Sequence, residues 1–413
     1  MFRYPLLGAA LAASALAVPP ALAGPLTFDE ALAHASANAP SLRASARGAD
    51  ATRAARAAAG ALPDPKLSLG VDSFPVSGPL AFAPSRDDFT WASIGVSQEF
   101  PNLAKRHAQQ ARADSDIAAA DAEALAEART VEVETAVAWL TLAFAERRLA
   151  ALDVARTRLD PLVATMPGAV ASGRARPAQI LAGQQALAIL ADRRDELVSA
   201  VVRARADLGR WTGDAAPVVA GVMPDFAVDG TRLRAALDAN PGLAAIAARV
   251  GQAEADVRLA QAGRRPDFGV DISYQRRDPR FGDYVSAGVT IGLPLFKRHR
   301  QEPLIAARQF DADRVRAEQE ASRRALSANL DAALGDHAMH HAQWIRAQGT
   351  FEPLARERVD LETASYAAGR ANLVDVVEAH IALVDATLAT LDREAVVAID
   401  GARLTLTYRS ATR

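Results

Sequence analysis

Two proline-bounded runs of alternating residues recur about 200 positions apart, and this duplication restricts the possible architectures strongly. At a shift of 201, Leu42 falls on Leu243 and Pro65 on Pro266, and Leu67, Leu69 and Val71 fall on Phe268, Val270 and Ile272. At 193, Gly95-Val96 falls on Gly288-Val289 and Phe100-Pro101 on Leu293-Pro294. At 196, Gly173-Arg174 falls on Gly369-Arg370. The order of these matches is preserved, so the chain is read as two copies of one unit before any fold is considered. The expected division is a leader over 1–23, a first repeat over 24–213, a linker over 214–228 and a second repeat over 229–413.

Each repeat changes its hydrophobic period along its length. Thr27 to Glu30 form a capping box that opens a helix. Pro63 and Pro65 end the helices that follow. The period then becomes two. Phe268, Val270, Ile272 and Tyr274 alternate with polar residues, and so do Val285, Ala287, Val289, Ile291 and Leu293. This predicts a half-apolar hairpin over 267–293 and a weaker one over 66–99, carried by Leu67, Leu69, Val71, Ala92, Ile94 and Val96. After Pro101 and Pro294 come long helical stretches, with stops expected only at Pro161 and Pro167 in one copy and an interruption at Pro353 in the other. Helices of such length call for coiled-coil packing. Val377, Ile381, Val384, Leu388, Leu391, Ala395, Ala398 and Ala402 supply a seam spaced 4-3-4-3. Leu187, Leu190, Leu197, Val201, Leu208 and Trp211 supply another, interrupted by Arg194.

The opening residues read as an export signal. Arg3 precedes an apolar run over Leu6–Val18, Pro19-Pro20 break it, and Ala21-Leu22-Ala23 gives a cleavage box before Gly24. That run is too short to span a bilayer, which takes roughly 20 residues. The chain has no cysteine, which excludes disulfides, thiolate metal sites and a lipidated cysteine anchor. Lys+Arg is 47 against 49 Asp+Glu, a balance that argues against a nucleic-acid partner.

Four alternating strands cannot close a membrane barrel, which needs at least about eight. Open strand edges are not tolerated in lipid. An exported chain with four such strands is therefore expected to complete a barrel with sister copies. Three copies give twelve strands, extended by the long helices as a tube. Trp91, Tyr274 and Tyr284 near strand ends would suit an interfacial girdle. The other class weighed is a soluble periplasmic helical scaffold that binds metal.

These residues resemble the TolC family of outer-membrane efflux ducts. The resemblance runs through Leu26 to Leu32, both hairpins and both segments around Gly173 and Gly369. Gln98-Glu99-Phe100-Pro101 followed by Lys105-Arg106 is most similar to the heavy-metal exporter (CzcC-like) branch. The resemblance implies a mainly α fold, a long antiparallel coiled-coil tunnel with a four-strand share of a trimeric 12-stranded barrel. It implies a homotrimer in outer-membrane lipid, docked to a periplasmic membrane-fusion adaptor and an inner-membrane RND pump. It implies a passive duct for heavy-metal cations, or alternatively for drugs and small organic compounds. Gly173-Arg174 and Gly369-Arg370 would be the adaptor-docking helix tips, and Asp375 and Glu378, six and nine residues past Gly369, the acidic ring of the periplasmic entrance.

Asp375 and Glu378, at i and i+3, share a helix face and in a trimer would form two rings of carboxylates that attract cations. His337, His340 and His341 sit at i, i+3 and i+4 and are a candidate weak metal site. No P-loop, G-x-S-x-G, H-E-x-x-H or strand-linked G-x-G-x-x-G motif is present, so neither an enzyme nor a resident cofactor is expected.

Overall fold

A computed structural model of the protein describes residues 24–173 and 176–409. The expected leader over 1–23 and Arg174 lie outside the described residues. The two repeats follow the same element order. In the first, α1 (Phe28–Asn38) and α2 (Pro40–Ala58) lead into β1 (Lys66–Asp72), β2 (Trp91–Phe100) and α3 (Leu103–Ala164). The short α4 (Met166–Ala171) and α5 (Pro177–Thr212) complete it. The second runs α6 (Gly230–Ala235), α7 (Pro241–Ala262), β3 (Asp267–Arg276), β4 (Tyr284–Gly292), α8 (Gln301–Arg346), α9 (Glu352–Ala367) and α10 (Leu373–Tyr408). The described residues are mostly helical with four strands, as the periodicity predicts.

Helix α3 has 62 residues, about 93 Å at 1.5 Å per residue. It does not stop at Pro161 but carries that proline inside its last turn. The break comes at Thr165, just before Pro167 at the start of α4. In the second copy the helix is interrupted as expected before Pro353. The interruption is one wide turn over Ala347–Phe351, in which the Glu352 N–H donates to the Ala347 carbonyl five residues back. Proline lacks an N–H and crowds the carbonyl four residues before it, and widening the turn accommodates both.

The helices pack along their small-residue seams. Every α10 seam residue is buried or half-buried. Arg194, which interrupts the α5 seam, donates from Nε to Asp153 Oδ1 on α3 at 2.7 Å. The centre of the bundle holds the largest buried side chains, among them Trp139, Leu140, Leu142 and Phe144 of α3 with Leu208 of α5 and Ala402 of α10. The Trp139 indole N–H donates to the Leu26 carbonyl at 3.0 Å, and its ring meets Phe28 edge-on at 5.6 Å. This fixes the segment leading into α1 against the spine of the bundle. A second cluster, with Leu159, Val163, Leu190, Leu373 and Val377, lies toward the helix tips.

The four strands form one antiparallel sheet in the order β1-β2-β3-β4. The two hairpins join through β2 and β3, with Ile94 opposite Tyr274 and Val96 opposite Ile272. Leu69 pairs with Ile94 on one side, and Tyr274 with Val285 on the other. By alternation the apolar residues of all four strands share one face. Ser68, Gly95, Ser273 and Ser286 form a row on the opposite face. Of the three expected girdle aromatics only Tyr274 falls on the apolar face. Trp91 and Tyr284 fall on the polar face, where the Trp91 N–H donates to Asp72 at 3.1 Å. The apolar face ends instead in the row Phe100–Phe268–Ile291 at the helix side. At the far side, Arg277 Nη1 donates to the Asp88 carbonyl at 3.0 Å, tying the loop of the second hairpin to that of the first.

Candidate functional site

The two helix tips are built alike from local rules. Gly173 and Gly369 have φ of +72° and +71°, a conformation that glycine adopts without a Cβ clash. At the second tip, Gly369 N–H donates to the Tyr366 carbonyl at 2.9 Å and Arg370 N–H to the Ser365 carbonyl at 2.8 Å. These two bonds define a Schellman end. At the first tip, Gly173 N–H donates to the Val170 carbonyl at 2.9 Å, the matching bond. Gly369 and Arg370 are exposed, and a Cβ on either glycine would meet nothing within 4 Å. The glycines therefore serve the turn itself, not a close approach.

The returning helices also start alike. Asp375 Oδ2 accepts from the Asn372 N–H at 2.9 Å, closing a capping box over the start of α10. Gln179 Oε1 accepts from the Arg176 N–H at 2.9 Å and does the same for α5. Positions 179 and 375 are related by the 196-residue shift, so one position carries one capping role with a neutral side chain in one copy and a carboxylate in the other. Sequence reading paired Asp375 with Glu378 through their charge and missed the cap. The spacing Asn372-x-x-Asp375 carried that signal. Glu378 is exposed one turn further on, while Val376 and Val377 between them are buried. The two carboxylates thus lie at the same end of α10, one engaged with the backbone and one open to solvent.

The three histidines of α8 are not brought to a common point. His340 Nδ1 lies 2.7 Å from Asp400 Oδ2 on α10, a bridge between two helices. His337 and His341 face each other with ring centroids 6.3 Å apart, and His341 meets Trp344 edge-on at 5.6 Å. Burial holds the His337 imidazole below its ordinary pKa, against the opposing pull of Asp400. Among the described residues, no group of three or more His, Asp or Glu side chains is arranged to hold a metal ion.

The sheet is the other unusual surface. Its apolar face is bare: Leu69 is 73% and Val285 72% exposed. Both outer strands, β1 and β4, leave one edge unpaired. Among the described residues, no helix is long and apolar enough to cross a membrane.

A duplicated unit of long paired helices, joined through a four-strand sheet with one apolar and one polar face, defines a TolC-like outer membrane channel fold. Residues 233–407 match the family described as outer membrane efflux protein. The cobalt-zinc-cadmium resistance protein CzcC of Cupriavidus metallidurans is 27% identical over 198 residues, 47% of each chain. That match spans about half the length of this relative. The crystal structure of a membrane protein from Pseudomonas aeruginosa superimposes with a TM-score of 0.79 at 17% identity, covering 93% of this chain and 90% of that one. The Campylobacter jejuni CmeC outer membrane channel gives 0.77 at 14% identity, covering 94% and 87%. At these identities the two structures speak for the fold.

Proposed function

We propose that the protein is the outer-membrane exit duct of a tripartite efflux system. The observation that carries this reading is the sheet, with a continuous uncovered apolar face and two unpaired edges. In water such a surface would aggregate, and in lipid a sheet with free edges is not stable. Both faults vanish if β1 of one copy pairs with β4 of the next. Three copies of four strands close a 12-stranded barrel, apolar outside and lined by Ser, Gly and Asp inside. The leader over 1–23 delivers the chain to the envelope, and the barrel holds it in the outer membrane.

In this reading the helices continue the barrel into the periplasm, and the tips around Gly173 and Gly369 meet a membrane-fusion adaptor. Asp375 and Glu378 ring the entrance and favour cations there. The duct is passive, because no nucleotide-binding motif supplies energy, and an inner-membrane RND pump drives transport. Heavy-metal cations are the proposed cargo, supported by the similarity to a protein named for cobalt, zinc and cadmium resistance. Chemical cross-linking of the detergent-extracted protein tests the assembly, and a trimer is expected. A stable monomer that remains soluble without detergent would overturn the duct. A strain lacking the protein should become sensitive to cobalt, zinc or cadmium. Sensitivity to organic toxicants alone would reassign the cargo and leave the duct intact.

A further inference from the structure

The two repeats dispose differently of the basic residues that follow their hairpins. In the first, Lys105 Nζ donates to Asp267 at 3.1 Å, and Arg106 Nε donates to the Gly60 carbonyl at 2.7 Å. In the second, Lys297, Arg298, His299 and Arg300 are all exposed. Among the described residues none of these four donates a side-chain hydrogen bond or joins an ion pair. Directly before them, Leu293, Leu295 and Phe296 are 62%, 75% and 69% exposed. The backbone winds this segment tightly, since the N–H groups of His299 and Arg300 both donate to the Phe296 carbonyl at 3.1 Å. Uncompensated cations therefore crowd beside bare apolar side chains, just beyond the Phe100–Phe268–Ile291 row that ends the apolar face of the sheet.

We propose that residues 293–300 form an interfacial anchor that binds anionic phospholipid headgroups. This rests on the outer-membrane reading of the sheet. Leu293, Leu295 and Phe296 enter the acyl boundary, and Lys297, Arg298 and Arg300 meet the phosphates of the periplasm-facing leaflet. The pattern is that of membrane-surface binding, where apolar burial and basic residues add. The corresponding residues of the first repeat are consumed inside the subunit, so each subunit carries one such anchor.

The test uses the full chain in nanodiscs of equal parts phosphatidylcholine and phosphatidylglycerol. After mild detergent extraction, the lipids retained are counted by native mass spectrometry. Wild type should retain phosphatidylglycerol in preference to phosphatidylcholine. K297Q/R298Q/R300Q should lower that preference at least about tenfold, because each basic residue near an anionic surface is worth about fivefold. R43Q/R47Q/R358Q, with the same charge change at exposed positions on α2 and α9, should leave it unchanged. Equal preference in wild type and the first variant would overturn the anchor. So would loss of the oligomer in neutral and anionic lipid alike, which would assign the patch to contact between copies. A wild-type chain that never enters lipid would overturn the membrane reading as well, and is recognised by that failure.

Discussion

Helices α3 and α8 follow equivalent hairpins, yet they bury very different surfaces. Helix α3 encloses Trp139, Leu140, Leu142, Phe144, Leu152 and Leu159, with α1, α2, α5, α7 and α10 laid against it. Helix α8 buries only Ile305, Ala312 and Leu330, and leaves Leu304, Phe310, Met339 and Ile345 exposed. Duplication of sequence has not produced duplication of environment. The first copy supplies the spine of the subunit, whereas the second supplies a rim whose apolar residues have no cover within one chain. In the ring proposed above, the exposed rim of one copy would meet the flank of the next.

The contrast can be broken most directly at its centre. Trp139→Ala should cost about 3–5 kcal/mol in chemical denaturation, chiefly through lost packing, since the Leu26 carbonyl loses the indole but still accepts from the Ala220 N–H. Phe310→Ala on α8 should cost less than about 0.5 kcal/mol in the isolated subunit. Equal losses would show that the two helices are not spine and rim. Next in size, Gly173→Ala and Gly369→Ala should each cost about 1–2 kcal/mol, because alanine is strained at positive φ. A marked difference between them would mean that the tips are not equivalent.

The caps sharpen the comparison further. Gln179→Ala and Asp375→Ala should each cost about 1 kcal/mol by removing one capping bond. Asp375→Asn retains an acceptor for the Asn372 N–H and removes only charge. In planar bilayers it should therefore reduce cation preference while helix stability stays close to wild type. If both change together, cap and charge cannot be separated at this position.

The smallest effect concerns pH. Burial, with Arg158 nearby, holds the His380 imidazole below its ordinary pKa of 6.5, although Asp360 opposes the shift. The folded protein therefore binds this proton less readily than the unfolded chain, and stability should fall as pH drops below about 6.5. Thermal unfolding at pH 7.5 and 5.5 should show that fall, and His380→Gln should make it shallower.

What could be read from residue order was whatever short-range chemistry writes. Prolines at 63, 65, 101 and 294 bound the strands, alternation gave their faces, and Gly173 and Gly369 marked the turns. What could not be read depended on distant partners. Arg194 looked like an interruption of its seam until Asp153 came beside it from α3. His340 looked like a companion of His337 and His341, but its partner is Asp400, 60 residues away. Pro161 was expected to stop its helix and does not; α3 gives up that one N–H bond and runs on to Ala164 before it breaks at Thr165. The cap at Asp375 is legible in the spacing Asn372-x-x-Asp375, although the charge of that side chain points first to cations.

The wide turn over Ala347–Phe351 has a mechanical corollary. One residue of an α-helix corresponds to about 100° of rotation, so a turn holding one extra residue re-clocks everything beyond it. The shaft from Gln301 to Arg346 and the terminal segment from Glu352 to Ala367 are thereby indexed independently. Val359 is the one buried side chain of that segment. Such a splice lets the far end of a rod be retuned to a new mating surface while the rest stays as built.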